Sequence, residues 1–136
     1  MNQATRLGLA IGLIPVEIIR RVIGWNYTVR GTYTHHCPYT GRTLTVKDRM
    51  RYDSFTYAPN LRRKDGGPSR AAQAHDVGWI TGKWDDGTPM TFDECNEIFL
   101  LILIDEQHPA KIVNLYYDGV SLPFMRRRWQ KVHGHA

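Results

Sequence analysis

The segment from Thr91 to Glu106 constrains this chain more than any other. Thr91 stands three residues ahead of Glu94, the spacing at which the two side chains satisfy each other's backbone N–H groups and start a helix. Beyond them Phe92, Cys95, Ile98, Phe99, Ile102 and Leu103 recur at intervals of three and four, which sets them along one side of that helix. So broad an apolar stripe must be covered by another element. The preceding sequence supplies one: Ser69 is a good cap, and Arg70, Ala71, Ala72, Gln73 and Ala74 after it are good helix formers. This helix should stop before Asp85-Asp86-Gly87-Thr88-Pro89, and its short connection to the next predicts an antiparallel pair. Pro109 marks the start of a third helix, over residues 110–117.

Residues ahead of the helices have a different texture. Residues 25–34 and 43–52 alternate in the manner of strands, rich in Tyr, Thr and Val. Residues 35–41, His-His-Cys-Pro-Tyr-Thr-Gly, read as the loop of a hairpin. Residues 2–23 have apolar positions at helical spacing, Leu9, Leu13, Val16 and Ile18, interrupted by Gly12 and Pro15, so a helix broken near Pro15 is expected there. Leu9, Leu13 and Ile18 should be buried against the sheet or a partner chain. The uncharged run at residues 7–16 falls well short of the roughly 20 residues that span a bilayer. With no basic cluster before it and Glu17, Arg20 and Arg21 after it, it does not resemble a cleaved signal either. The 136 residues, 42% apolar and 23% charged, suit one folded core. The expected architecture is a single α+β domain over residues 1–136: a small antiparallel sheet followed by an antiparallel helical pair and a third helix.

Two cysteines, Cys37 and Cys95, are too few for a disulfide framework and lack zinc spacing, which fits a cytosolic origin. The net charge of +5 favours an anionic partner without defining a nucleic-acid binder. The cations gather at Arg62, Arg63 and Lys64, and again at Arg126, Arg127, Arg128 and Lys131 with Trp129 among them. Either group serves as a solvated helix end or as a surface for anionic lipid, nucleic acid or an acidic protein. Tyr27, Tyr33, Tyr39, Tyr52 and Tyr57 cluster in the strand region, where they form either a packed sheet face or an interface, since tyrosine beside arginine is enriched at binding hot spots. His35, His36 and Cys37 invite a metal reading, but neighbouring positions on a strand point to opposite faces.

The stretch that carries chemistry is Arg70-Ala71-Ala72-Gln73-Ala74-His75-Asp76-Val77-Gly78-Trp79. Adjacent helical residues point about 100° apart, so His75 and Asp76 cannot pair with each other but can serve different parts of one site. His75 and Trp79 share a face. The alternatives are a neutral-range base beside a cation-holding carboxylate, and a core histidine beside a surface aspartate.

These residues, with Asp53, Thr56 and Pro59 before them and Glu94, Cys95, Asn96 and Phe99 after them, resemble a family of bacteriophage and prophage proteins. Its pattern is approximately D-G-x-S-x-P, then R-A-A-x-x-H-D-x-x-Y, then E-A-D-x-x-F, and the resemblance covers residues 43–130. Here proline falls one position late, Trp79 replaces tyrosine and Asn96 replaces aspartate. The family's helix is in turn similar to that of phospholipase A2. That likeness implies His75 as base, Asn96 (or less readily Asp93) orienting it, and Asp76 as a calcium ligand, with carbonyls of Gly66 and Gly67 completing the site. The resemblance implies a virion-associated or tail structural component that keeps the helix pair as scaffold, partnered by protein subunits of a phage particle and located in the virion or host cytoplasm. The alternative it implies is a calcium-dependent esterase acting on acyl lipid in host entry or lysis.

Overall fold

The computed structural model describes residues 26–53 and 61–136. The helix expected over residues 2–23, with Leu9, Leu13 and Ile18, lies outside them, as do Thr56, Tyr57 and Pro59. Within them the chain is mixed α+β, with strands β1 (Asn26–Thr28), β2 (Tyr33–His36), β3 (Thr43–Val46) and β4 (Arg51–Asp53) followed by helices α1 (Arg70–Thr81), α2 (Phe92–Asp105), α3 (Ala110–Val120) and α4 (Pro123–His133).

The two expected strands each break in the middle, giving two antiparallel ladders, β1 with β4 and β2 with β3. Thr28 faces Arg51 and Tyr33 faces Val46, so both arms lose the same number of residues and the ladders belong to one hairpin whose alignment does not slip. The break has a local cause: Gly31 and Arg49 adopt the left-handed conformation, with φ of 80° and 67°, and the Arg49 N–H turns to the Val29 carbonyl at 2.8 Å. The hairpin loop is shorter than expected. His35 and His36 belong to β2, and the turn spans residues 38–41, closed by the Cys37 N–H on the Arg42 carbonyl at 2.9 Å. Along β3 the side chains alternate as a half-buried strand should: Leu44 and Val46 are buried, and Thr43 and Thr45 face outward.

The helix starts follow the sequence. Ser69 accepts the Ala71 N–H, and Thr91 and Glu94 form the reciprocal box, with bonds of 3.0 and 2.8 Å. Gly82 ends α1 in the left-handed conformation, its N–H on the Gly78 carbonyl. All six residues of the expected α2 stripe are buried, joined by Asn96. The running order of contacts makes α1 and α2 antiparallel: Ser69 and Arg70 bond Glu106, His75 meets Asn96, and the Gly82 carbonyl accepts the Met90 N–H. The close approach rests on small residues. A Cβ on Gly78 would stand 2.5 Å from Cys95 Sγ. β3 and β4 also contact α1, and Ala71 to His75 with Val77 and Gly78 are buried.

Helix α3 runs past the expected end at residue 117, to Val120. The basic segment beyond it, for which no helix is expected, forms α4, with Pro123 in its first turn and Gly134 as a left-handed stop. Trp129, fully buried, fixes it: its ring packs at right angles to Trp79, with centroids 5.1 Å apart, and close to Phe92 and His133. Trp129 is therefore part of the core and not of the basic surface. Among the described residues no helix is long and apolar enough to cross a membrane.

Candidate functional site

Helices α1 and α2 bring the expected pair together. His75 Nε2 stands 3.3 Å from Asn96 Oδ1. The other end of the amide settles its orientation, because Asn96 Nδ2 donates to the Val120 carbonyl at 3.3 Å. The oxygen therefore faces the ring, and the ring nitrogen opposite it carries the proton. A neutral imidazole so held keeps its lone pair on Nδ1, the arrangement in which a partner side chain orients a general base.

The surroundings oppose that role. His75 is 4% exposed, with the Phe99 ring at 5.2 Å and the Trp79 ring at 6.4 Å. Burial disfavours the imidazolium and lowers the pKa to about 4, outweighing the small upward effect of the Asn96 bond. An imidazole this weakly basic is a poor acceptor for a proton from water. Asn96 offers only an amide dipole and no full negative charge, so it does little to hold a protonated ring. Asp93, the other expected orienting residue, is on the surface and bonds Arg126 at 2.6 Å.

Asp76 is half-buried on the next position of α1. Its charge, after burial, helps raise the pKa of the neighbouring Cys95 thiol, whose sulfur lies 3.6 Å from the His75 carbonyl; this cysteine is a core residue and not a nucleophile. Gly66 and Gly67 form a tight turn ahead of α1. The Gly67 carbonyl accepts the Arg63 N–H at 2.8 Å, the Gly66 N–H reaches the Arg63 carbonyl at 2.9 Å, and the Gly67 N–H reaches Asp65 Oδ1. These bonds run within the turn, whereas Asp76 lies about 10 Å along the helix from the cap. Among the described residues no group of three His, Cys, Asp or Glu is placed to hold a metal ion, at Asp76 or at His35, His36 and Cys37. A small groove of about 60 Å³ between the hairpin tip and α2, lined in part by Tyr39, Trp84, Glu94 and Glu97, does not touch His75.

A second polar cluster escapes the sequence reading. Glu106 Oε1 accepts from Ser69 Oγ at 2.6 Å and Oε2 accepts from the Arg70 N–H at 2.7 Å. His108 Nε2 lies 3.0 Å from Oε1, and both side chains are almost wholly buried. The Ser69 hydroxyl gives its proton to a carboxylate and accepts from Ala71, so it is a cap and not a nucleophile. One signal was available: an acid at a helix C-terminus is unfavourable unless something else compensates it.

Of the basic side chains, Arg126 is committed to Asp93 and lies over the Phe92 ring at 5.0 Å. Arg127, Arg128 and Lys131 are exposed. Tyr33 is half-buried beneath Arg70, and Tyr39 is 73% exposed at the hairpin tip. The chain matches no family model, no curated protein and no solved structure.

Proposed function

We propose that this chain is a phage-type virion-associated or tail structural component in which the phospholipase-A2-like helix pair serves as scaffold. The observation that supports the scaffold half of this reading is the state of His75: a ring 4% exposed, with a pKa of about 4, bonded to an amide whose other end is already spent on Val120. A group so enclosed positions α1 against α2 and α3, and it has no open face for an acyl chain. Exposed Tyr39, Ile104 and Leu115 support an assembly role, since exposed aromatic and aliphatic side chains are what partner subunits cover.

Mass spectrometry of purified particles tests the assembly half. The chain is expected as a stoichiometric component, and its confinement to the particle-free fraction would overturn the assignment. The scaffold half is tested in solution, where millimolar calcium should leave the melting temperature unchanged and no fatty acid should be released from phospholipid.

The esterase reading keeps one observation in its favour, the contact of 3.3 Å between His75 Nε2 and Asn96 Oδ1, by which a side chain of the neighbouring helix orients the ring. Its signature is calcium-dependent release of fatty acid that His75→Ala abolishes, together with a calcium-induced rise in melting temperature that Asp76→Asn removes.

A further inference from the structure

We infer that the outward face of α4 is a docking surface for an anionic phospholipid bilayer. Phe124, Arg127, Arg128 and Lys131 fall at positions i, i+3, i+4 and i+7 of this helix, so they form one stripe, and Val132 adjoins its end. All five are exposed, Phe124 by 51% and Val132 by 58%. The opposite stripe, Met125, Trp129 and His133, is turned into the protein.

The stripe does not depend on folding at the surface it meets. Trp129 is fully buried, Arg126 is tied to Asp93 at 2.6 Å, and the His133 ring sits so close to Gly82 that a Cβ there would lie 2.5 Å from Nδ1. A rigid helix presented in this way binds without the entropic cost of ordering. The charge is one-sided, for residues 119–136 contain three arginines and one lysine and no acid. Among the described residues neither Arg127 nor Lys131 makes an ion pair.

The apolar members identify the partner. Phe124 and Val132 flank the cations along the stripe, so the face combines shallow insertion with headgroup attraction, as interfacial helices do, the long arginine and lysine stems reaching up to phosphate level. A nucleic acid would be met by the same charges, but the one tryptophan of the segment is buried and offers no base a stacking platform. Against a duplex the two apolar side chains would lie beside phosphates with nothing to enter.

The test is co-sedimentation of the full chain with vesicles of phosphatidylcholine, with and without phosphatidylserine. Binding is expected only with phosphatidylserine, weakening as salt rises. Arg127→Gln with Lys131→Gln should weaken it roughly 30-fold, at about 1 kcal/mol per cation near an anionic surface. Phe124→Ser should weaken it severalfold, and all of these variants should melt as the wild type does. Arg62→Gln with Lys64→Gln removes equal charge elsewhere and should leave binding unchanged. An equal loss in that control would reduce the effect to net charge and overturn the proposal. So would an absence of vesicle binding, or tighter binding to duplex DNA that Phe124→Ser does not affect.

Discussion

Glu106, at the C-terminal end of one helix, caps the N-terminus of another: its carboxylate accepts the Ser69 hydroxyl at 2.6 Å and the Arg70 N–H at 2.7 Å. An acid at the end of α2 opposes that helix's own dipole. The antiparallel neighbour reverses the sign, because the same carboxylate faces the positive start of α1.

Glu106→Ala should therefore cost about 2–4 kcal/mol, leaving a buried hydroxyl and a buried N–H without their acceptor. Glu106→Gln should cost less, since one amide oxygen remains, although its NH₂ group then faces a donor. Urea midpoints check the order. Equal and small losses in both variants would mean that the cluster contributes little to holding α1 on α2.

His75 predicts a specific pH dependence. Its folded pKa of about 4 lies below the unfolded value of 6.5, so the unfolded chain takes up the proton first. The cost is absent above about pH 6.5, grows as pH falls and is complete below about pH 4, where it approaches roughly 3 kcal/mol. His75→Gln should flatten the stability profile between pH 6.5 and 5, a range in which ordinary carboxyl groups contribute little. An unchanged slope in that variant would show that the ring is not held neutral by burial.

Gly78 is where the helices come closest. An added methyl would meet Cys95 Sγ at 2.5 Å and Met90 Sδ at 3.2 Å. Gly78→Ala gains about 1 kcal/mol of helix propensity but overpacks the contact by about 1–3 kcal/mol, so a net loss is expected. Cys95→Ala in the same chain should recover most of it. A double-mutant cycle reads the coupling, and simple additivity would contradict the packing seen here.

Asp85 ties the hairpin to the helices. Its carboxylate accepts Thr45 Oγ1 at 2.6 Å, the Thr45 N–H at 2.9 Å and Thr43 Oγ1 at 3.0 Å. Burial pushes its pKa up, but the bonds from Thr45 and Thr43 and the charge of Lys47 outweigh it, so the net shift is downward. The associated stability is present above the unfolded carboxyl value and is lost as pH falls through the lower folded one. For this exposed residue Asp85→Ala should cost about 1 kcal/mol, and hydrogen exchange should speed up in β2 and β3 more than in α2. Uniform acceleration would mean that the hairpin does not open separately.

By itself the sequence determined the elements whose signals are local. Ser69, the Thr91–Glu94 box and the stripe from Phe92 to Leu103 are legible because a cap acts over three residues and a helix repeats every 3.6. The facing of His75 and Asn96 follows from the antiparallel pairing that the short turn between the two helices predicts. Local propensity reads residues 25–34 and 43–52 as unbroken strands, whereas the left-handed Gly31 and Arg49 and the bond from Arg49 to Val29 interrupt them. The tertiary structure alone decided what is buried. No local rule says that His75 is enclosed by Phe99 and Trp79, that Trp129 belongs to the core while Arg127 beside it is solvated, or that Glu106 serves a helix 36 residues earlier. Burial depends on which faces meet after the chain folds back, and burial is what turns a histidine with the sequence signature of a base into one with a pKa of about 4.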